Sequence, residues 1–232
     1  MSAILKNRQS GPAAVFVNLN GKEGKFVHSE GTGDAKARMT FDQIDYAFVR
    51  KLSFREDEYK GEPIPKGQLH LEGVEDGSRV IVSFRLDTNM GARMIGLLNA
   101  AADKPDTPVR FNLTTTKEGE KLLNDEIASK DIHHLSARQE GAQATLKPKY
   151  DTPDGNLPRA KEVKLNGKTL YDRAEINDIV SGLFQKIVDK LKSPGETEGA
   201  VPAEPGDHVD LDDIPGEDER EPETEGAGAP RG

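Results

Sequence analysis

The 232-residue chain carries 32 Lys and Arg against 41 Asp and Glu, a formal net charge of −9, and contains no Cys and no Trp. The missing Cys excludes a disulfide framework, thiolate chemistry and Cys-type zinc sites. The charge is unevenly placed: residues 193–232 hold thirteen acidic residues against two Arg, a net of −11, so residues 1–192 come out at +2. This division predicts a flexible N-terminus over 1–11, one folded domain over 12–192 and a disordered acidic tail over 193–232. The first residues hold no apolar run of signal-peptide length, and no segment approaches the roughly 18 apolar residues of a membrane span. The expectation is a cytoplasmic protein with no membrane contact.

In chain order, β-like runs dominate. Residues 13–19 (AAVFVNL) and 25–28 flank a Gly-Lys-Glu-Gly turn and read as a hairpin. Residues 31–37 are small and polar, a loop. Residues 43–54 (QIDYAFVRKLSF) form a long strand whose apolar positions are Ile44, Tyr46, Phe48, Leu52 and Phe54. Arg50 interrupts that alternation and marks a bulge. Residues 56–66 (EDEYKGEPIPK) read as a charged hairpin loop. Strands follow at 68–72 and 78–86, with Val80, Val82, Phe84 and Leu86 on one face.

A short helix is expected at 90–102, stopped by Pro105 and Pro108. A strand at 109–115 places Val109, Phe111 and Leu113 inward. Residues 118–129 read ambiguously as a short helix. Another strand is expected at 142–147, then a Pro-rich loop over 148–158 and a strand at 161–165. The clearest element is a helix over 173–192. Ile176, Ile179, Val180, Leu183, Phe184, Ile187, Val188 and Leu191 keep i, i+3, i+4 spacing behind an Asp172/Glu175 capping pair. Its apolar stripe suits packing on the body or, as the sharper alternative, a homodimer or partner helix. The sum is a mainly β fold: an OB-fold-like barrel with a short internal helix, a C-terminal amphipathic helix and a disordered acidic tail.

Walker, Rossmann, G-x-S-x-G and H-E-x-x-H signatures are all missing from the sequence. His133 and His134 are adjacent, point apart on any regular element and read as surface residues. The expectation is a protein that is not an enzyme, with no catalytic residues, no cofactor and no metal. Scattered carboxylates holding Mg²⁺ in a nuclease form the minor alternative. Basic and aromatic residues interleave more suggestively. Arg50, Lys51, Phe54, Arg55, Tyr59 and Lys60 lie in one strand and its following loop. Lys66, Arg79 and Arg85 lie on the next strands, and Lys147, Lys149 and Tyr150 follow a later one. Cations that neutralise phosphates, beside flat rings on which bases stack, are what single-strand binding needs. Phe48, Phe84 and Phe111 are expected in the core.

Three stretches resemble phage-type single-stranded DNA-binding proteins with an OB fold: FDQIDYAFVRKLSFREDEYKGEPI at 41–64, VIVSFRLDTNMGARMIGLLNAA at 80–101, and LPRAKEVKLNGKTLYDRAEINDIVSGLFQKIVDKL at 157–191. The resemblance covers most of the body. It implies sequence-tolerant binding of single-stranded DNA in replication, recombination or repair. Asp210, Leu211, Asp212, Asp213, Ile214 and Pro215 look like the acidic tip of bacterial single-stranded DNA-binding proteins, D-D-I-P-F. Here Gly216 replaces the Phe, and seventeen residues follow Pro215. That likeness implies a tail that competes with DNA for the basic face and meets replication or recombination proteins. An alternative is a protein-interaction adaptor with an OB-like body.

Overall fold

Alternating apolar and polar residues build one eight-stranded sheet in the computed structural model. The described residues are 14–31, 37–59, 61–121, 126–165 and 168–191. The chain divides into two units, Met1–Gly199 and Ala200–Gly232, and every described residue belongs to the first. The predicted flexible N-terminus and acidic tail, including Asp210, Leu211, Asp212, Asp213, Ile214 and Pro215, lie outside the described residues.

The strands are β1 (Val15–Asn20), β2 (Lys25–Glu30), β3 (Ala37–Phe41), β4 (Gln43–Tyr59), β5 (Glu62–Gly73), β6 (Arg79–Arg85), β7 (Val109–Thr116) and β8 (Ile132–Gln139). Their order across the sheet is β3-β2-β1-β6-β5-β4-β7-β8. Only the β1–β6 pair is parallel among these ladders. Helix α1 (Asn89–Ala101) joins β6 to β7, and α2 (Ala174–Leu191) follows a separate two-stranded hairpin, β9 (Lys161–Leu165) with β10 (Lys168–Asp172). No helix among the described residues is long and apolar enough to cross a membrane.

One face of the sheet makes the core. Val17, Phe26, Leu52, Leu69, Leu71, Val82, Phe84, Phe111 and Leu135 close over the apolar sides of both helices, including Met94, Ile95, Leu97, Val180, Leu183 and Ile187. Helix α1 is started by Thr88, whose hydroxyl accepts from the Gly91 amide at 3.1 Å and donates to the Arg85 carbonyl at 3.0 Å. A side chain at Gly91 would stand 1.7 Å from that same carbonyl oxygen, so only glycine lets α1 leave β6 this closely. At the start of α2, Asp172 accepts from the Ala174 amide at 2.9 Å. Glu175 instead turns to Lys161 at 3.1 Å, so the expected pair does not form the reciprocal box. The sheet curls. His133 on β8 donates through Nε2 to the Lys22 carbonyl in the β1–β2 turn at 2.7 Å, drawing distant strands together. A Cβ on Gly24 would fall 2.4 Å from the same imidazole.

Several expectations need correction. The loop predicted at 56–66 is mostly ladder: β4 and β5 stay paired from Ala47 with Gly73 out to Tyr59 with Glu62. Charge and two prolines suggested a loop, yet Pro63 and Pro65 sit in a projecting ribbon where unbroken ladders on both sides are not required. Strands β3 and β8 were missed; β3 is a short, largely exposed edge strand beside the predicted loop, and β8 carries His133-His134 in place of β-formers. Residues 142–147 form no strand but cross the body as irregular chain, held by the Leu146 amide to the Ala137 carbonyl at 2.7 Å. The described part of 118–129 is turn and a single bridge, Lys121 with Ile127, not a helix.

Candidate functional site

Two irregularities in β4 decide which side chains face away from the helices. The expected bulge at Arg50 is present, between Val49 and Lys51 against β5. A second register shift, between Ile44 and Ala47 against β7, was not foreseen. Each extra residue flips the alternation. Ile44, Ala47, Leu52 and Phe54 therefore share the core face, while Tyr46 and Phe48 fall on the opposite, helix-free face. This corrects the expected core position of Phe48, which is half-buried where Phe84 and Phe111 are fully buried.

Directly paired residues share a face, so the ladders define a grid on the helix-free side. One row across β4, β5 and β6 reads Phe48, Glu72, Arg79. The next reads Lys51, His70, Ile81 and continues to Phe16 on β1. Then come Ser53, Gln68, Ser83 and Asn18. The last reads Arg55, Lys66, Arg85. On the β7 side, Arg110 pairs with Arg138 of β8. Sequence reasoning missed Phe16, Tyr46, Phe48, Arg110 and Arg138. The broken alternation at Arg50 was the available signal for Phe48, since everything before a bulge changes face.

The cations are held by neighbours. The Arg50 guanidinium lies 4.6 Å from the Phe48 ring centre and binds Glu72 at 2.7 Å. Arg110 lies 4.4 Å from the Tyr46 ring centre and 3.6 Å from Asp45, while its Nε is buried without a hydrogen-bond partner. Each such ring contact is worth about 0.5–1 kcal/mol when exposed. Asp57 takes Arg55 at 2.7 Å and Lys66 at 2.6 Å, and Asp87 takes Arg85 at 2.6 Å. Burial acts to raise the Asp57 carboxyl, but the Lys66 bond and charge, with Arg55 beside it, hold it below the usual carboxylate range. Lys51 and Arg79 are exposed and carry no ion pair among the described residues.

The structure thus brings together Arg50, Lys51, Arg55, Lys66, Arg79 and Arg85 on one face. Four other predicted residues stand elsewhere. Phe54 is on the core face, 55% exposed and edge-on to Phe184 of α2 at 6.3 Å. Tyr150 covers α1: its hydroxyl donates to the Ala92 carbonyl at 3.2 Å, and a Cβ on Gly96 would meet its ring at 2.6 Å. Burial pushes its phenol up, against the opposing charge of Arg93. Lys149 is tied to Asp103 at 3.2 Å on that same helix side, with exposed Lys147 two residues before it. The backbone of Tyr59 closes the β4–β5 ladder opposite Glu62; Lys60 lies outside the described residues. His133 and His134 do point apart, His133 to Thr115 at 2.8 Å and His134 to Thr116 at 3.1 Å.

Chemically, this face offers flat rings, stacked guanidinium groups and cations at fixed spacing, separated by Ser, Asn and Gln side chains. It suits an anionic chain carrying planar groups. Among the described residues, no three His, Asp or Glu side chains gather as a metal cluster. No family model matches the chain, and neither the curated proteins nor the solved structures compared with it give a match.

Proposed function

We propose that this protein binds single-stranded DNA without strong sequence preference, through the helix-free face of its sheet, in replication, recombination or repair. One observation carries the reading: Phe16, Phe48, Lys51, Arg55, Lys66, Arg79, Arg85 and Arg110 share that face by ladder register, and the bulge residues Tyr46 and Arg50 join it through their contacts with Arg110 and Phe48. Cations there neutralise phosphates, and stacking on a ring contributes about 1–3 kcal/mol per base. Ser53, Gln68, Ser83 and Asn18 supply hydrogen bonds that tolerate any base. In this reading Phe48, Tyr46 and Phe16 take the stacking role that the sequence suggested for Phe54, Tyr59 and Tyr150.

The fold reading that accompanies it is an OB-type barrel enlarged by extra strands. A curled, largely antiparallel sheet with a helix inserted between later strands supports it. The protein acts as a binder, not a catalyst. Its tail, on charge alone, serves as an anionic competitor and a contact for replication or recombination proteins. A gel-shift series with single-stranded, duplex and RNA oligonucleotides, with and without Mg²⁺, tests the reading. Retention of the single strand with no loss of oligonucleotide is expected. No retention points to a protein-interaction adaptor, and Mg²⁺-dependent loss of the oligonucleotide to a nuclease.

A further inference from the structure

The row Arg55, Lys66, Arg85 sets three cations at directly paired positions on neighbouring strands. Strands lie about 4.8 Å apart, so the row spans only about 10 Å, and like charges directly opposed repel. Lys66 is buried, with 9% of its surface exposed. Such a row persists only with counter-anions in place. Asp87 serves Arg85 at its end of the row. Asp57 does more than pair with one cation. Its Oδ1 meets Arg55 Nε at 2.7 Å and its Oδ2 meets Lys66 Nζ at 2.6 Å, so its two oxygens bridge two strands. The two non-bridging oxygens of a phosphodiester present the same pair of acceptors at similar separation.

We propose that Arg55, Lys66 and Arg85 form a backbone-phosphate subsite at the end of the grid, and that Asp57 is its resident internal anion. The carboxylate holds both cations in position while the face is empty and competes with phosphate when it fills. Asp57 is thus a positioning residue that lowers affinity and limits salt dependence. This rests on the single-strand reading above. It places phosphate contact about 20 Å along β5 from the Phe48 row, given the six residues from Glu72 to Lys66 at about 3.3 Å each.

The test is Asp57→Asn, which keeps the shape and one acceptor oxygen and removes the charge. Binding of a fluorescein-labelled oligo-dT is followed by anisotropy across a salt series. The variant is expected to bind roughly five- to tenfold tighter, with a log K against log salt slope steeper by about 0.7, one more phosphate engaged on a single strand. If Asp57→Asn fails to fold, as judged by near-ultraviolet dichroism, the double variant Asp57→Asn/Lys66→Gln is compared with Lys66→Gln alone. Tighter binding by the double supports the competing anion, and equal binding overturns it. Wild-type binding with an unchanged or weaker Asp57→Asn overturns the inference and leaves the single-strand reading standing. Wild-type protein that binds no oligo-dT at low salt overturns the reading itself.

Discussion

The two faces of the sheet are built from the same strands and do opposite things with their aromatic rings. On the helix side, Phe26, Phe84 and Phe111 are sealed by α1 and α2 and hold the fold together. On the other side, Phe16, Tyr46 and Phe48 remain within reach of solvent, with arginines laid over two of the rings. Burial of an aromatic ring repays itself wherever helices can cover it. A ring left on a polar face beside Arg50 or Arg110 adds less to stability, and under the proposed reading its value lies in what it meets from outside. The difference teaches that β4, through its two bulges, sets Tyr46 and Phe48 apart from the core face that Ile44, Ala47 and Leu52 share.

The largest expected effect breaks the helix-side face. Phe111 is fully buried, so Phe111→Ala should lose about 3–5 kcal/mol in a denaturant melt, enough to leave much of the protein unfolded. Phe48→Ala should do the reverse: a stability change within about 1 kcal/mol, with oligo-dT affinity falling by about 1–3 kcal/mol. If Phe48→Ala melts like Phe111→Ala and binds like wild type, the assignment of faces is wrong. A smaller effect is expected from Lys51→Gln and Arg79→Gln, two exposed cations of β4 and β6 that carry no carboxylate partner among the described residues. Each should flatten the salt slope by about 0.7 and leave the melt unchanged.

Why β4 was half legible follows from how bulges work. Its length, its β-formers and the break at Arg50 were all visible, because alternation is a local property of the chain. The shift between Ile44 and Ala47 was not, since Tyr46 and Phe48 continue the apolar alternation from Ile44 and the β7 ladder is what shows that they leave its face. Helix α2 came through almost to its ends because its stripe is long and strictly spaced. Strand β8 did not, because its place depends on partners in β7 rather than on its own residues. Of the candidate face, the cations of β4, β5 and β6 were named from the sequence, and the rings beside them, Phe16, Tyr46 and Phe48, were not. Tyr150 was misplaced for the same physical reason as Phe54: exposure at a strand end or loop does not reveal that α1 or α2 lies alongside.

Truncation at residue 192 removes a net of −11 and leaves a body at +2. If the tail competes for the grid, the truncated protein should bind oligo-dT more tightly at low salt, with the gain fading as salt screens it. Equal binding by both proteins at low salt would remove the tail from any account of this face and leave Asp57 as the anion that matters there.

The smallest effect concerns Asp57 and acid. Its carboxyl sits below the usual range although burial pushes it upward, so the cations outweigh burial. A carboxylate depressed in the folded state contributes stability above its unfolded value of about 3.9, and that stability is lost as pH falls through the lower folded value. Asp131 and Asp154 are also depressed, by Lys117 and by the Asn156 amide respectively, and they titrate in the same acid window. They are common to wild type and Asp57→Asn, so they cancel when the two proteins are compared. The stability gap between these proteins should therefore be widest near neutral pH and narrow below about pH 4. A gap that stays constant from pH 7 to pH 3 would mean that Asp57 contributes shape and a hydrogen bond rather than charge, and a residue without an electrostatic role cannot stand in for phosphate.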